Sequence, residues 1–255
     1  MNLQDIKKQI SVVVQGPLDD RTYETIDCYK DFGEVIISTW DNEDLSLLDK
    51  SLNKNFKVVQ SSYPSNNSFI NDGYVFYIAK TTLAGVLSST KKYVLKTRTD
   101  ELYPNLDAFL HNINKYPDRL HTTDNGFWKR HPFCLSGHLF LDSSSNLRKS
   151  MQSIIDYCNY NFDLPFRVNI CECILGYFTM FSRGYELDFN NWKQIFKDNV
   201  YITKCIDLPG HLHSGQSSSN RGFKRSSEPY PCGRKEMPND CHQASGLYRH
   251  IDEII

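Results

Sequence analysis

The length, composition and charge of the chain fit a single globular domain and exclude two broad classes of protein. Its 255 residues are enough to bury a substantial core. With 29 basic and 30 acidic residues the net charge is -1, which excludes the strong positive field of a general nucleic-acid-binding protein. The apolar runs are much shorter than the ~20 residues that cross a bilayer, so we predict no transmembrane segment and only peripheral membrane contact.

The N-terminal end and the cysteines predict a cytoplasmic protein. Residues 1–8 are polar and lead directly into the first apolar run, without the apolar centre of a signal peptide. The eight cysteines have no regular spacing, and such cysteines are typical of proteins in a reducing compartment.

The first half of the chain predicts a parallel sheet with crossover helices. Four short apolar runs predict strands, at residues 10–15, 34–39, 56–60 and from 93 onwards. Residues 22–32 predict a short helix between the first two strands, and residues 68–88 predict a long one. The predicted sheet-facing positions of the long helix are Phe69, Gly73, Phe76, Lys80, Leu83 and Leu87. Strands that alternate with helices in this way favour a parallel sheet with right-handed crossovers.

Charged and turn-forming residues stand at the ends of these strands. They are Gln15, Gly16, Pro17, Asp41, Lys96, Arg98 and Asp100. Ligands of open α/β sheets bind where the carboxyl ends of the strands meet, so we predict a ligand site at this edge. Asp100 is the residue best placed there to bind a metal ion. A core strand followed by a solvated turn is the alternative.

Three of these segments together resemble a known family. Residues 10–18 (ISVVVQGPL), 36–44 (IISTWDNED) and 92–100 (KYVLKTRTD) are similar, in sequence, order and spacing, to the WavE lipopolysaccharide-synthesis family of glycosyltransferases, over roughly the first 185 residues. The resemblance implies a GT-A-like (Rossmann-like) α/β fold, with a central, mostly parallel sheet flanked by helices and a nucleotide-sugar lying across the strand ends. Arg98-Thr99-Asp100 then takes the place of the family's Asp-X-Asp motif, with Arg98 replacing the first acid. A second departure lies on the long helix, where residues 69–72 replace an Arg-Gln pair.

The resemblance also implies roles for residues at the predicted site. Departure of a nucleoside diphosphate builds negative charge on phosphate oxygens, which a divalent ion or fixed cations must offset. Asp100 would hold Mn²⁺ (or Mg²⁺), with His211 or His213 as a further metal ligand. The residues predicted to contact the donor are Gln15, Gly16, Pro17, Asp41, Lys96, Arg98, Lys224 and Arg225.

The second half predicts the acceptor side. Strands at residues 119–124 and 137–142 flank an irregular loop that contains Trp128, Lys129 and His131. An aromatic ring can cover the apolar face of a sugar while polar neighbours hold its hydroxyls, so the loop predicts acceptor binding. A plain exposed loop is the alternative. Serine-headed residues 143–158 predict a helix that packs on the core.

One carboxylate, Glu172, lies in the apolar stretch 168–175. A buried charge is costly unless it is paired or has a functional role. Burial also raises the pKa of a carboxyl group toward the range of a general base. The resemblance likewise implies an acceptor-side acid at the start of a helix at this point. The alternative is a structural Glu172 that pairs with Arg167 or Arg183.

The C-terminal segment is polar, small and basic from Ser214 to Ser227. This composition predicts either a linker or a lid over the donor diphosphate. We therefore expect one GT-A-like domain over residues 1–255. It comprises a nucleotide-sugar-binding half (1–104), an acceptor half (105–213) and a flexible C-terminal extension (214–255).

Together these features predict a glycosyltransferase that moves a sugar from a nucleotide-sugar donor to a hydroxyl of a glycan or lipopolysaccharide-type acceptor. Asp100 and Glu172 are its predicted catalytic residues. One alternative is a nucleotidyltransferase of similar fold, although such enzymes usually begin with a Gly-rich basic loop that Gln15-Gly16-Pro17 does not match. The other alternative is a carbohydrate-binding protein without activity.

Overall fold

The computed structural model describes most of the chain, namely residues 2–19, 22–48, 56–64, 73–124, 132–160, 164, 171–210 and 212–213. For residues 212 and 213 it describes the backbone only. Several residues named above lie outside this description: Phe69, Trp128, Lys129, His131, Arg167, His211, Lys224, Arg225 and the whole C-terminal extension.

The described part of the chain contains nine strands and seven α-helices. The strands are β1 (Ile10–Gln15), β2 (Glu34–Trp40), β3 (Phe56–Ser61), β4 (Tyr93–Arg98), β5 (Glu101–Leu102), β6 (Leu120–Thr123), β7 (Phe140–Ser143), β8 (Val200–Thr203) and β9 (Leu212–His213). The helices are α1 (Leu3–Lys7), α2 (Thr22–Asp27), α3 (Gly73–Ser88), α4 (Asp107–Lys115), α5 (Ser144–Asn159), α6 (Cys171–Phe181) and α7 (Trp192–Asn199).

Seven strands form one sheet in the order β3-β2-β1-β4-β7-β6-β8. Strand β7 runs antiparallel to both of its neighbours, and every other pair in this sheet is parallel. The predicted mostly parallel sheet is therefore confirmed. Because β7 is antiparallel, its beginning lies beside the carboxyl end of β4. Strands β5 and β9 form a separate antiparallel pair in which Glu101 lies opposite His213.

Helices cover both faces of the large sheet. Successive strand residues point to opposite faces, so Val13 and Val94 join a core cluster with α3, α5 and α6. Val12 and Leu95, one residue away in each strand, join a second cluster with α1, α2 and α4. The strand ends between these two layers are therefore the part of the sheet that a ligand can reach.

The helices lie where the sequence predicts them, but their ends and buried faces differ in detail. Helix α2 ends at Asp27, earlier than predicted, whereas the serine cap of α5 is confirmed because Ser143 Oγ accepts a hydrogen bond from Asn146 N at 3.2 Å. On α3 the prediction that Leu87 faces the sheet is wrong, since its side chain is 53% exposed. No helix in the described part is long and apolar enough to span a membrane.

The same helix corrects a second predicted position. Lys80 donates from Nζ to the carbonyl oxygen of Ser62 at 2.9 Å and does not pack on the sheet. The buried apolar residues of α3 are the predicted Phe76 and Leu83 together with Val75, Ala79 and Val86. The buried face of α3 therefore overlaps the predicted stripe but does not extend to Lys80 and Leu87.

Candidate functional site

The turn after β1 is hydrogen-bonded to the turn after β4. Thr99 N donates to the carbonyl oxygen of Gln15 at 3.1 Å, and Thr99 Oγ1 donates to that of Pro17 at 2.7 Å. Gly16 lies between them with φ 138°, and a Cβ added there would stand 2.6 Å from Thr99 Oγ1. Only glycine fits this conformation and this close approach. The predicted donor loop and the Arg-Thr-Asp turn therefore form one unit at the carboxyl edge.

Aromatic side chains gather at the ends of β2 and β3. Trp40 lies 5.3 Å from Tyr63 and 5.5 Å from Tyr77, measured between ring centroids, and the two tyrosines stack at 5.6 Å. Asp41, predicted to contact the donor, is exposed next to this cluster and accepts a hydrogen bond from Tyr63 N at 3.0 Å. The sequence did not predict the cluster, because its three rings come from two strand ends and a helix.

Asp100 is bound by Arg98 from the same turn. Arg98 Nε donates to Asp100 Oδ1 at 2.7 Å, and Arg98 Nη2 donates to Asp100 Oδ2 at 2.6 Å. The side chains are 24% and 26% exposed, respectively. Burial opposes the charge of Arg98, but the carboxylates of Asp100 and Glu101 raise its pKa overall. Both oxygens of the predicted metal ligand are thus engaged by a cation.

Lys96 lies behind this pair on the same strand. Its side chain is fully buried, Nζ donates to the carbonyl oxygen of Gly137, and the amine lies 5.4 Å from the ring centroid of Phe140. Burial, together with the nearby charge of Arg98, lowers the pKa of Lys96 to about 8. The structure therefore places the amine below the strand edge, where it links β4 to the segment that enters β7.

A second buried link joins the same two segments. Glu101 is fully buried, accepts a hydrogen bond from Tyr103 OH at 3.1 Å and contacts Nδ1 of His138. His138 follows Gly137, so adjacent residues of the acceptor half are each bound by a charged group of the donor half. The sequence did not single out Glu101 or His138, since their contact depends on the pairing of β4 with β7.

Glu172 lies in the first turn of α6, as the predicted helix start requires. Cys171 and Cys173 beside it are buried, but Glu172 itself is only half-buried because it lies at the end of the helix. The expectation of a fully buried carboxylate is therefore wrong. The alternative pairing with Arg183 is also wrong, because that guanidinium binds Asp142 at 2.6 Å.

The electrostatics of Tyr74 connect the two predicted catalytic carboxylates. Removal from water raises the pKa of Tyr74, the charge of Arg98 lowers it, and the charges of Glu172 and Asp100 raise it. All three charges thus act on one phenol in the first turn of α3. Tyr74 therefore lies within reach of charges from both the predicted donor side and the predicted acceptor side.

Helix α6 contacts the described end of the acceptor loop directly. A Cβ added at Gly176 would lie 1.8 Å from the carbonyl oxygen of Phe133, so the helix approaches the loop backbone at a distance only glycine allows. Leu135 N also donates to the carbonyl oxygen of Glu172 at 2.9 Å. These contacts fix the start of α6 relative to the loop.

The described residues do not complete the metal site that the fold class implies. Asp100 is bound at both oxygens by Arg98, and Glu101 is buried with Tyr103 and His138. Within the residues that the structure describes, no group of three His, Cys, Asp or Glu side chains could hold a metal ion. The backbone of His213 pairs with Glu101, next to Asp100, but its side chain lies outside the description. Mn²⁺ therefore stays a prediction.

Comparisons with known proteins establish the fold. No protein family model matches the sequence, and a comparison with curated protein sequences finds no match. The structure resembles glucosyl-3-phosphoglycerate synthase from Mycobacterium tuberculosis in complex with Mn²⁺, UDP and phosphoglyceric acid. Identity is 13%, the match covers 85% of this chain and 75% of the other, and the TM-score is 0.50. This likeness confirms the GT-A-like fold.

Two further structures match more weakly. S. aureus TarS 1-349 in complex with UDP-GlcNAc has 14% identity and a TM-score of 0.45, and the match covers 68% of this chain and 54% of that one. The 4-diphosphocytidyl-2C-methyl-D-erythritol synthase from Anaerococcus prevotii has 12% identity and a TM-score of 0.42, with 76% and 88% covered. The resemblance to the WavE family remains an inference from three sequence motifs.

Proposed function

We propose that the protein is a glycosyltransferase that moves a sugar from a nucleotide-sugar donor to a hydroxyl of a glycan acceptor. The observation that carries this proposal is the hydrogen-bonded unit of Gln15, Gly16, Pro17 and Thr99 at the carboxyl edge of a GT-A-like sheet. Ligands of open α/β sheets bind at this edge. The WavE resemblance favours an acceptor of the lipopolysaccharide type.

The donor would lie across the ends of β1, β2 and β4. Tyr63 is 47% exposed beside the buried Trp40, which leaves an aromatic surface for a base, and Asp41 lies next to it for a ribose. The diphosphate would lie at the Gly16 turn and Arg98, where cationic N–H groups suit phosphate oxygens. In this arrangement the sugar extends toward the side of the site that carries Glu172.

The acceptor would bind between the start of α6 and the loop before β7. Glu172 would accept the proton of the acceptor hydroxyl while that oxygen bonds to the anomeric carbon and the bond to the diphosphate breaks. The predicted acceptor-binding residues Trp128, Lys129 and His131 belong to the same loop as Phe133, which contacts α6. The close approach at Gly176 would keep this loop near the base.

A product assay tests the proposal. The protein is incubated with a panel of nucleotide-sugars and a mixture of oligosaccharide acceptors, and the products are resolved by chromatography and mass spectrometry. We expect a free nucleoside diphosphate and an extended glycan in equal amounts. Release of pyrophosphate would identify a nucleotidyltransferase instead, and glycan binding without consumption of any donor would identify a binding protein.

A further inference from the structure

We infer that Arg98, and not a divalent ion, is the cation that meets the donor diphosphate, and that Asp100 is the positioning residue that orients Arg98. This inference rests on the proposed function and deepens it. Arg98 thereby takes the place of the metal ion that the resemblance assigns to Asp100. Asp100 orients the guanidinium of Arg98, and the guanidinium binds the phosphate oxygens.

The first argument is the state of the Asp100 carboxylate. Each of its oxygens accepts a hydrogen bond from Arg98, at 2.7 and 2.6 Å, in the two-pronged geometry that suits a guanidinium. Each oxygen keeps a second lone pair, but a divalent ion bound there would stand next to the guanidinium of Arg98, whose positive charge repels it. The neighbouring Glu101 does not offer a second oxygen ligand, because it is fully buried and bonded to Tyr103 and His138.

The second argument is that the guanidinium of Arg98 has N–H donors that Asp100 does not use. An arginine carries five N–H groups, and Asp100 receives one from Nε and one from Nη2. Within the part of the chain that the structure describes, Nη1 makes no hydrogen bond. The side chain is 24% exposed, so these donors are open to a ligand at the strand edge. Diphosphate oxygens are the anionic acceptors that match them.

The third argument is that the guanidinium is held in place before a ligand binds. Asp100 fixes it through two bonds, and the turn that carries both residues is fixed by Thr99, which is bonded to Gln15 and Pro17. A donor group that is already oriented loses little conformational freedom on binding. Arg98 can therefore offset the charge of the leaving diphosphate without a metal ion.

Calorimetric titration of UDP tests the inference on the full chain, first in EDTA and then in Mn²⁺. UDP is the probe because the similar M. tuberculosis synthase structure contains it. We expect the dissociation constants in the two buffers to agree within about twofold, and Arg98→Gln to weaken binding about 10- to 100-fold in both. Binding that requires Mn²⁺ would overturn the inference, and so would absence of UDP binding in both buffers.

Two variants test separately whether Arg98 replaces the metal ion and whether Asp100 acts through Arg98. Arg98→Asp restores an Asp-X-Asp motif, and we expect it to bind UDP weakly in EDTA but to recover affinity in Mn²⁺. Asp100→Asn should weaken UDP binding about 10-fold regardless of Mn²⁺, and should add no further loss when Arg98→Gln is already present. Independent losses in the double variant would contradict a role of Asp100 through Arg98. Melting temperatures of all variants confirm that they are folded.

The transfer assay separates this inference from the proposed function. Sugar transfer that persists in EDTA supports both. Transfer that occurs only with Mn²⁺ overturns the role of Arg98 and leaves the glycosyltransferase proposal standing. UDP binding that resists EDTA and depends on Arg98, with no nucleotide-sugar consumed, supports diphosphate recognition by Arg98 and overturns the proposed reaction.

Discussion

Two Arg–Asp pairs lie near opposite ends of helix α6 and share one close contact, but their other hydrogen bonds and their surroundings differ. In both pairs Nη2 of the arginine lies 2.6 Å from Oδ2 of the aspartate. The side chains of Arg98 and Asp100 are 24% and 26% exposed, whereas those of Arg183 and Asp142 are 9% and 4% exposed. The first pair lies at the strand edge near Glu172, and the second lies where β7 and α6 end.

The partners of the two pairs differ as much as their burial. Asp142 also accepts hydrogen bonds from Ser143 N at 2.6 Å and Asn146 Nδ2 at 3.1 Å, and Arg183 Nη1 donates to the carbonyl oxygen of Asp118 at 2.9 Å. Burial raises the pKa of Asp142, and the charge of Arg183 opposes that rise. Both Nη atoms of Arg183 in this second, inner pair are therefore bonded to the protein, and among the described residues only its Nε has no partner. In the first, edge pair, Nη1 of Arg98 is the donor that we propose binds a ligand. Two Arg–Asp ion pairs thus serve stability in one place and, as we propose, recognition in the other.

The largest expected effect comes from breaking the inner pair. Arg183→Met leaves the carboxylate of Asp142 buried without its cation, and we expect the free energy of unfolding to fall by about 3–5 kcal/mol. Urea unfolding measures the loss. Arg148→Met, at an exposed position of α5, is the matched control and should change stability by less than about 0.5 kcal/mol. Equal effects of the two substitutions would contradict a structural role for the inner pair.

A second prediction concerns the end of α6 near the edge pair. Glu172→Gln removes the proposed proton acceptor with little change in shape, so kcat for sugar transfer should fall roughly 10²-fold while UDP affinity stays near that of the wild type. Glu186→Gln makes the same chemical change at an exposed carboxylate and should leave kcat unchanged. If Glu172→Gln instead lowers the melting temperature and spares kcat, then both ends of α6 serve stability.

The third prediction follows from the buried amine of Lys96. Its pKa is about 8 in the folded protein and 10.5 for an ordinary lysine, so between these values the folded protein binds fewer protons than the unfolded chain. The contribution of Lys96 to the free energy of unfolding must therefore rise with pH in this window, by about 2 kcal/mol between pH 8 and 10. Urea unfolding of the wild type relative to Lys96→Met measures the rise. A flat difference across this range would show that the amine is not desolvated.

The smallest expected effect is that of the edge pair on stability. Arg98→Met removes an ion pair that is about one quarter exposed, and solvent screens such pairs, so the free energy of unfolding should fall by less than about 1 kcal/mol. The same urea experiment as for Arg183→Met gives the comparison directly. A loss as large as that of Arg183→Met would show that the Arg98–Asp100 pair stabilises the fold as strongly as the Arg183–Asp142 pair.

Local sequence patterns predicted the elements well where each one is determined by its own residues. The strand from Ile10 to Gln15 and the helix capped by Ser143 were predicted because apolar runs, turns and caps act over a few positions. Leu87 was misplaced because the helical spacing of apolar residues on α3 does not show where the buried face of the helix ends.

The contacts within the candidate site were less predictable. Arg98 stands next to Asp100 in sequence, but the pattern alone showed a replaced acid and did not show that the two side chains bind each other. The links from Lys96 to Gly137 and from Glu101 to His138 cross about 40 residues. They exist because antiparallel β7 lies against β4, and strand order is not encoded in any short segment.

The small pair of β5 and β9 has a consequence for engineering. Leu102 lies opposite Leu212, so the chain leaves the Arg-Thr-Asp turn and returns to the same place after building β6, β7 and β8. The segment between them therefore leaves and rejoins the rest of the protein at one place, and it packs on the remainder along β4 against β7, α3 against α5 and α1 against α4. Chimeras with other proteins of this fold would be joined at residues 102 and 212, where antiparallel hydrogen bonds already bring the two cut ends together.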